Sequence, residues 1–304
     1  MDFSLAPRHW VLIVFLAAAL FVHLRGRVRF GLLRALTDFT VLLAPFNALM
    51  VLFSRTPATV FVDPARFPEL APLREHWRTI RDEAMALDDA GRIRAAATYN
   101  DIGFNSFFRT GWKRFYLKWY GDDLPSARAL CPRTVALVRA IPTVKAAMFA
   151  CLPPGARLVR HRDPYAGSLR YHLGLQTPNS PRCYIEVDGQ RYFWRDGEAM
   201  MFDETFIHHA ENTTDERRII LFCDVERPLR TAPLRWFNRG FARLVMSASA
   251  TQNMEGEPVG ILNRFFFHAY KLRLAGKALK ARSRPAYYAL KWLLIAALAW
   301  ALFA

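Results

Sequence analysis

Residues 183–202 read CYIEVDGQRYFWRDGEAMMF, and this stretch decides the fold class. It contains short runs rich in β-branched and aromatic residues, which favour strands. Asp188-Gly189 separates the first two runs, and an Asp-Gly pair in this position is a strong signal for a hairpin turn. Asp196-Gly197 separates the second run from the third. The stretch therefore predicts the strands Cys183–Val187, Arg191–Trp194 and Ala199–Phe202.

The same strand-and-turn texture extends outward, from about residue 144 to residue 225. Turn signals at Pro153-Pro154-Gly155 and at Pro178-Asn179-Ser180-Pro181 divide it. Many short strands at regular spacing are typical of an all-β barrel or sandwich. The additional strand candidates are Val144–Cys151, Arg157–His161, Leu169–Leu175 and Arg218–Val225.

Helical and aromatic segments flank the β region. Residues 54–62 have the composition of a linker, and a helix is predicted over Pro68–Leu87 because its apolar residues recur on one face. The segment from Tyr99 to Tyr120 is rich in aromatic residues, which could line an acyl path or simply pack in the core. Residues 229–286 are basic and of helical or irregular texture.

Apolar runs at the ends of the chain indicate membrane association. Trp10 to Leu24 precedes a cluster of arginines, and Tyr287 to Ala304 follows a dense basic stretch. Basic flanks of this kind tend to remain in the cytoplasm, so the main domain is expected on that side. A middle run, Ala35 to Phe53, contains Asp38 and Pro45 and is interpreted as an in-plane segment or as a buried core helix.

Composition agrees with a membrane partner. The net charge of +16 indicates nucleic acid or a membrane, and the 53% hydrophobic content, concentrated at the chain ends, favours the membrane over nucleic acid. The four cysteines, Cys131, Cys151, Cys183 and Cys223, form no C-x-x-C pair. They are predicted to be buried thiols in a reducing compartment.

His161-Arg162-Asp163 places an imidazole and a carboxylate two residues apart at the end of a predicted strand. In an extended chain, residues i and i+2 face the same way, so both can bind one ion. Adding His208 completes two histidines and one carboxylate, the facial triad that suits iron(II). The alternatives are that Asp163 caps a turn before Pro164 and that His208 or His209 is an ordinary surface histidine.

Arg218 follows His208 by ten residues, on the last predicted strand. An oxygenase that uses 2-oxoglutarate needs a cation for the distal carboxylate, and a guanidinium can bind it through two parallel hydrogen bonds. Arg217 points to the opposite face and is the rival. Arg170 and His172 share one strand face and could bind the carboxylate nearer the metal, or they could form a polar surface ladder.

Residues about 98 to 228 resemble the aspartyl/asparaginyl β-hydroxylase domain. The resemblance implies a double-stranded β-helix (jelly-roll or cupin-like) with iron(II), 2-oxoglutarate and O2. It implies metal binding by His161 and His208 and cosubstrate binding by Arg170, His172, Arg218 and Trp112. The family's small polar cosubstrate contact falls on Ala150. The resemblance is carried by Met148-Phe149 through Pro154-Gly155, His161-Arg162-Asp163, residues 168–175 (SLRYHLGL), residues 202–208 (FDETFIH) and Arg218-Ile219-Ile220-Leu221.

Asp163 stands where the animal peptide hydroxylases of this family carry glycine, and a complete triad is similar to the bacterial lipid A 2-hydroxylase branch. Residues 101–108 (DIGFNSFF) and 112–120 also resemble that branch. We therefore expect hydroxylation of C2 of a secondary acyl chain of lipid A, or of a related acylated glycolipid, at the inner (cytoplasmic) membrane. The alternatives are aspartyl/asparaginyl β-hydroxylation of a protein or peptide, and a non-catalytic membrane-bound β-barrel that binds a lipid.

The expected organisation is a mainly β catalytic core with flanking α-helices and terminal membrane helices. Its segments are 1–53, an N-terminal membrane-associated region; 54–97, a linker and helical segment; 98–228, the iron(II)/2-oxoglutarate dioxygenase core; 229–286, a basic helical segment; and 287–304, a C-terminal membrane helix.

Overall fold

The structure is a computed structural model, and it describes residues 7–31, 34–35, 38–96 and 101–303. Tyr99 and Ala304, which bound two of the predicted segments, lie outside the described residues, as does the predicted boundary between residues 97 and 98.

Two antiparallel sheets form the core. The strands are β1 (Phe61–Val62), β2 (Lys113–Trp119), β3 (Val144–Leu152), β4 (Arg157–His161), β5 (Ser168–Gln176), β6 (Cys183–Val187), β7 (Gln190–Phe193), β8 (Ala199–Phe202), β9 (His208–Asn212) and β10 (Arg218–Glu226). The larger sheet has the order β1-β8-β5-β10-β3-β2 and the smaller has β4-β9-β6-β7. From β3 onward the chain alternates between the sheets, except at the β6–β7 hairpin. This jelly-roll arrangement confirms the β core of the predicted fold.

Every predicted strand forms, and each end lies within one residue of its expected position. The β6–β7 hairpin turns at Asp188 (φ 49°) and Gly189 (φ 82°), as the Asp-Gly pair predicts for a turn with two positive φ angles. The sequence pattern did not predict strands β1, β2 and β9. β9 reads HHAEN and has a single apolar residue, so pairing with β4 and β6 on its two sides defines it as a strand.

Helices surround the sheets. The predicted helix over 68–87 begins as a 3-10 turn at Pro68–Leu70 and breaks at His76 into two helices. The second of these buries Ile80, Ala84 and Leu87 against the core. The helices are α1 (Pro7–Leu24), α2 (Ala44–Leu52), α3 (Ala71–Glu75), α4 (Trp77–Asp89), α5 (Pro125–Leu130), α6 (Pro132–Arg139), α7 (Ala232–Phe241), α8 (Ile261–Arg282) and α9 (Arg284–Phe303).

Helices do form at both ends of the chain, but the prediction that they are membrane helices is not supported. Within the described ranges, no helix combines the length and the apolar character needed to cross a bilayer. α1 has 18 residues, or about 27 Å at about 1.5 Å per residue, against a hydrocarbon core of about 30 Å. α9 carries a charged side chain, Lys291, within its apolar run.

The middle apolar run forms the core helix that was one of its two interpretations. α2 buries Phe46, Asn47 and Met50. The Asn47 side chain donates to the carbonyl of Pro164 (2.8 Å) and accepts from the amide of Ala166 (2.9 Å). α2 therefore holds the loop that follows Asp163. The four cysteines are buried free thiols, as predicted.

Candidate metal centre

Strand register brings the predicted ligands together. His161 on β4 lies directly opposite His208 on β9, and their ring centroids are 4.2 Å apart. Nε2 of His161 lies 3.7 Å from Oδ1 of Asp163. One ligand atom from each of His161, Asp163 and His208 falls within 4.8 Å of the others, and these three side chains form the metal group. Two residues that are 47 positions apart in the chain thus become cross-strand neighbours, with the carboxylate beside them.

Hydrogen bonds to the backbone set the tautomer of both imidazoles. Nδ1 of His161 lies 2.7 Å from the carbonyl oxygen of Val159, and Nδ1 of His208 lies 2.9 Å from that of Phe206. Because a carbonyl oxygen can only accept, each Nδ1 carries the proton. Each Nε2 therefore keeps its lone pair free, which is how histidine ligands are commonly oriented toward a metal.

The charge states of the three groups also fit a cation. Burial lowers the pKa of His208 to about 3, and it lowers the pKa of His161 as well, although Asp163 opposes this. Both imidazoles are therefore neutral near pH 7. Burial alone would raise the pKa of Asp163, but Arg170 and the two histidines outweigh it, so the pKa of this carboxyl is lowered. The donor set is two neutral nitrogens and one carboxylate, which the facial triad requires.

Arg170 contacts the metal group directly. Its Nη2 donates to Oδ2 of Asp163 at 2.7 Å, and its Nε lies 2.8 Å from Oδ1 of Asp224. The same guanidinium forms an ion pair with Glu204 and lies over the ring of Phe222 at 3.7 Å. One buried cation is thus shared by three carboxyl groups. Arg170, which is predicted to bind the cosubstrate, contacts Asp163, a predicted metal ligand, in this structure.

Burial raises the pKa of the other two carboxyls, Glu204 and Asp224, although Arg170 opposes the shift. Hydrogen bonds hold both in place: Ser168 donates to Glu204 (2.6 Å) and Tyr120 donates to Asp224 (2.8 Å). Of the carboxyls around Arg170, only Asp163 has a lowered pKa. It is therefore the one best suited to bind a positive ion.

Arg218 is a buried cation that has no counter-ion among the described residues. Its residue is 1% exposed, and Nε and Nη2 have no hydrogen-bond acceptor among the described residues. The guanidinium lies 4.3 Å from the centroid of the Trp194 ring. Burial lowers its pKa, and only the nearby thiols of Cys183 and Cys151 oppose the shift among the described residues. Such a group is costly unless an anion binds it, so the interior around Arg218 is suited to a carboxylate.

His172 lies between Arg218 and the metal ligands. Nε1 of Trp194 donates to its Nδ1 (3.3 Å), and Nε2 is buried without a partner in the part of the chain that the structure describes. The Phe202 ring lies 5.3 Å from His172 on one side and 5.3 Å from His208 on the other. Burial lowers the pKa of His172 well below its usual value, and Arg170 and Arg218 add to the shift. Contacts through Trp194, His172 and Phe202 therefore connect Arg218 to the metal group inside the barrel.

Arg217, immediately before β10, and Arg218, its first residue, face opposite sides of the sheet. Arg217 faces outward and pairs with Asp88 (2.9 Å) and Asp89 (3.5 Å). Arg218 shares the inward face with Phe222 and Asp224, as the alternation of a strand requires. Ala150 lies opposite Ile220 on the neighbouring strand β3 and offers no polar group there.

Trp112 belongs to an aromatic cluster beside the metal group. Its ring contacts Phe104 (4.8 Å), Phe107 (6.1 Å) and Phe108 (5.8 Å) between centroids. Phe107 in turn lies 4.5 Å from the ring of His161. Trp112 is therefore one aromatic ring removed from a predicted ligand.

Sequence reasoning missed several residues of this site. Trp194 supports both Arg218 and His172, while Glu204 and Asp224 share Arg170 with Asp163. Asp224 could have been found, because it is a charged residue on the same face of a predicted strand as Arg218. Trp194 and Glu204 left no comparable local signal.

Residues 74–228 match the model of the aspartyl/asparaginyl β-hydroxylase family. This is half of the chain, and it includes the metal group and Arg218. The chain belongs to the aspartyl/asparaginyl β-hydroxylase family. This agrees with the resemblance that the sequence motifs showed.

Relatives within the aspartyl/asparaginyl β-hydroxylase family differ in what their names say they act on. The ornithine lipid ester-linked acyl 2-hydroxylase of Rhizobium tropici is 36% identical over 188 residues, covering 60% of this chain and 66% of the relative. Human aspartate β-hydroxylase domain-containing protein 2 is 32% identical over 38% of this chain and 34% of its own length. Human aspartyl/asparaginyl β-hydroxylase is 27% identical over 54% of this chain and 22% of its own length. The chain thus spans less than two thirds of each of these relatives.

Among solved structures, a prolyl-4-hydroxylase of Pseudomonas putida is 19% identical, with a TM-score of 0.33 over 51% of this chain and 87% of that one. The cupin domain of Schizosaccharomyces pombe Cnp3 is 12% identical, with a TM-score of 0.28 over 42% of this chain and 71% of that one.

Proposed function

We propose that this protein is an iron(II)- and 2-oxoglutarate-dependent dioxygenase that hydroxylates C2 of an acyl chain in a membrane lipid. One observation carries the proposal. A jelly-roll interior holds two imidazoles with free Nε2 atoms and an ionised carboxylate at one end. Further along it holds a buried guanidinium for which the described part of the chain provides no counter-ion.

His161, Asp163 and His208 would hold the iron. Three ligands on one side of an iron(II) ion leave positions for a keto acid and O2. When bound, that centre supplies the oxidant that converts a C–H bond to C–OH while 2-oxoglutarate becomes succinate and CO2. The protein excludes water and fixes the substrate carbon close to the metal.

Arg218 would bind the distal carboxylate of 2-oxoglutarate. The anion would give Nε and Nη2 the acceptors that the described protein does not provide. The unpartnered Nε2 of His172, on the path from Arg218 to the metal group, is placed to contact the same cosubstrate. Trp194 orients both side chains from the wall of the barrel.

The substrate part of the proposal rests on the lipid-hydroxylating relative and on the surface of the chain. A protein named as an acyl 2-hydroxylase is 36% identical over 188 residues, which is 60% of this chain. Helices at both ends expose large apolar side chains, among them Trp10, Leu16, Trp292 and Trp300. We therefore propose lipid A or a related acylated lipid as substrate and the cytoplasmic face of the inner membrane as the location.

Hydroxylation of an aspartyl or asparaginyl residue in a protein is the second candidate, because other relatives bear names of that activity. The chemistry at the metal would be the same. A non-catalytic lipid-binding barrel has no need of neutral imidazoles facing an ionised carboxylate, and we do not favour it.

The test is iron-dependent release of succinate by the full chain with lipid A, with an ornithine lipid and with an aspartate-containing peptide. The proposal expects turnover with a lipid, together with a gain of one oxygen atom at C2 by mass spectrometry. His208→Ala should abolish it, while His209→Ala serves as the control, since His209 lies on the other face of β9 and contacts Tyr184. Turnover with peptide alone would favour the second candidate, and no bound iron with no turnover would favour the barrel.

A further inference from the structure

A basic cleft lies where α1 ends against the two loops that carry the metal ligands. Its lining includes His23, Arg25, Arg29, Phe30, Arg162 and Phe206. Arg162 belongs to the loop between His161 and Asp163, and Phe206 belongs to the loop that leads to His208. The cleft is therefore next to the metal group but is formed by other side chains.

Arg162 is a nearly buried cation at this cleft. Its side chain is 7% exposed, its Nε donates to Thr40 Oγ1 (2.7 Å), and the nearest carboxylate, Asp38, is 3.9 Å away. No acceptor for its two terminal nitrogens is found among the residues that the structure describes. Burial lowers its pKa, with Asp38 opposing. A nearly buried guanidinium fork of this kind suits a planar or tetrahedral oxyanion.

The wall opposite Arg162 is fixed to the core. Arg25 pairs with Asp203, donates to Thr205 Oγ1 (2.6 Å) and lies over the Phe206 ring at 4.2 Å. The amides of Arg27 (3.0 Å) and Val28 (2.7 Å) donate to the carboxylate of Asp188. These contacts hold the segment after α1 in place. Arg29 donates to the carbonyls of Gly26 (3.2 Å) and Leu24 (3.5 Å), and its exposed guanidinium has no carboxylate partner among the residues that the structure describes.

An apolar stripe on α1 leads to this cleft. Leu12, Leu16, Leu20 and Leu24 follow one another at intervals of four residues, so they lie on one helix face. They are 55%, 56%, 56% and 47% exposed, respectively, while Ala18 on another face packs against α2. A ligand that is apolar along most of its length and anionic at one end would match both surfaces.

We propose that the cleft of His23, Arg29 and Arg162 binds the anionic headgroup, a phosphate or a carboxylate, of the lipid substrate, with an acyl chain lying along the leucine stripe of α1. The proposal rests on the proposed function and extends it. Charge complementarity and the apolar stripe select an anionic lipid as the occupant. Because Arg162 adjoins two metal ligands, a headgroup bound there fixes the lipid relative to the metal group.

The test compares Arg29→Gln and Arg162→Gln with Arg27→Gln, which removes the same charge from an exposed residue of the same segment that does not line the cleft. The full chain is titrated with dodecyl maltoside micelles doped with phosphatidic acid, with an N-acyl glycine or with uncharged diacylglycerol. Each cleft variant should weaken binding of at least one anionic lipid by about tenfold, since a charge-assisted hydrogen bond contributes about 1.5–3 kcal/mol. Arg27→Gln should change little, and diacylglycerol should bind weakly to all variants.

Arg29→Gln is the decisive variant, because its side chain is exposed and touches no metal ligand. The proposal is overturned if Arg29→Gln binds both anionic lipids as well as the unmodified chain does, or if Arg27→Gln loses as much affinity as Arg29→Gln. It is also overturned if diacylglycerol binds as tightly as phosphatidic acid. This binding needs no iron, so its failure is separate from a failure of succinate release by the unmodified chain.

Discussion

Nη2 of Arg170 lies 2.7 Å from Oδ2 of Asp163, so the guanidinium that the family resemblance assigns to the cosubstrate is bound to a predicted ligand of the metal. Asp163 needs an ionised, oriented carboxylate to bind iron, and Arg170 provides both conditions. A residue that hydrogen-bonds to a metal ligand and orients it usually contributes to metal affinity.

Arg170→Gln should weaken metal binding. The change removes the cation that lowers the pKa of Asp163. It also removes the ion-pair partner of Glu204 and Asp224. We expect a loss in Co(II) or iron(II) affinity of about 10–100-fold, measured by calorimetry. Arg191→Gln is the control, since it removes an exposed arginine that also pairs with a carboxylate, Glu186. Unchanged metal affinity with a raised KM for 2-oxoglutarate would instead place Arg170 on the cosubstrate.

Asp163→Ala should abolish iron-supported turnover. It deletes one of the three ligand groups, and it removes the carboxylate that separates the Arg170 guanidinium from the metal position. The measurement is succinate release, accompanied by metal titration. Asp215→Ala, at an exposed position, controls for the loss of a carboxylate. Full activity of Asp163→Ala would show that the triad assignment is wrong.

Arg218→Met should raise the KM for 2-oxoglutarate by about 100-fold or more, because two charge-assisted hydrogen bonds of about 1.5–3 kcal/mol each are lost. It should also stabilise the cosubstrate-free protein by about 1–4 kcal/mol, because it replaces a buried cation that has no counter-ion with an apolar chain of similar length.

The control for the changes in KM and in stability is Arg217→Met, at the position immediately before β10. Arg217 pairs with Asp88 on the outer face, so the change should leave the KM for 2-oxoglutarate unaltered and stabilise nothing. Steady-state kinetics and thermal melts of the cosubstrate-free chain provide the two readouts. A destabilised Arg218→Met with an ordinary KM would contradict the assignment.

Asp203→Asn should destabilise the fold in a pH-dependent way. Burial would raise the pKa of this carboxyl, but Arg227 and Arg25 outweigh it and hold the pKa well below the ordinary value. The contribution of the carboxylate is therefore fully present above the unfolded pKa of about 4, and it is lost as the pH falls toward the folded pKa. Breaking the buried pair should cost about 3–5 kcal/mol at pH 7.

The readout is the difference in unfolding free energy between the unmodified chain and Asp203→Asn, from denaturant titrations at several pH values. The difference should be constant from pH 7 down to about pH 5 and should shrink below about pH 4. Asp215→Asn, exposed to solvent, should show little difference at any pH. A difference that grows on acidification would be incompatible with an ion pair at Asp203.

The sequence by itself determined the β core. Alternating runs and the Asp-Gly turns are local signals that extend over a few residues, and they located seven of the strands to within one residue. The sequence also predicted His161, Asp163, His208 and Arg218, because these residues occur in the order that the motifs of the family have. β9 escaped detection because its sequence is almost wholly polar, although it carries His208.

Only the tertiary structure decided how those residues are used. The β4–β9 register sets His161 opposite His208, and two loops and strand β10 each place one carboxyl group beside Arg170. Burial without a counter-ion distinguishes Arg218 from Arg217, and the docking of residues 25–28 on Asp188 and Asp203 creates the basic cleft. These are contacts between residues far apart in the chain. A sequence pattern reports the local preference of the backbone, whereas pairing and burial depend on which distant groups the fold brings together.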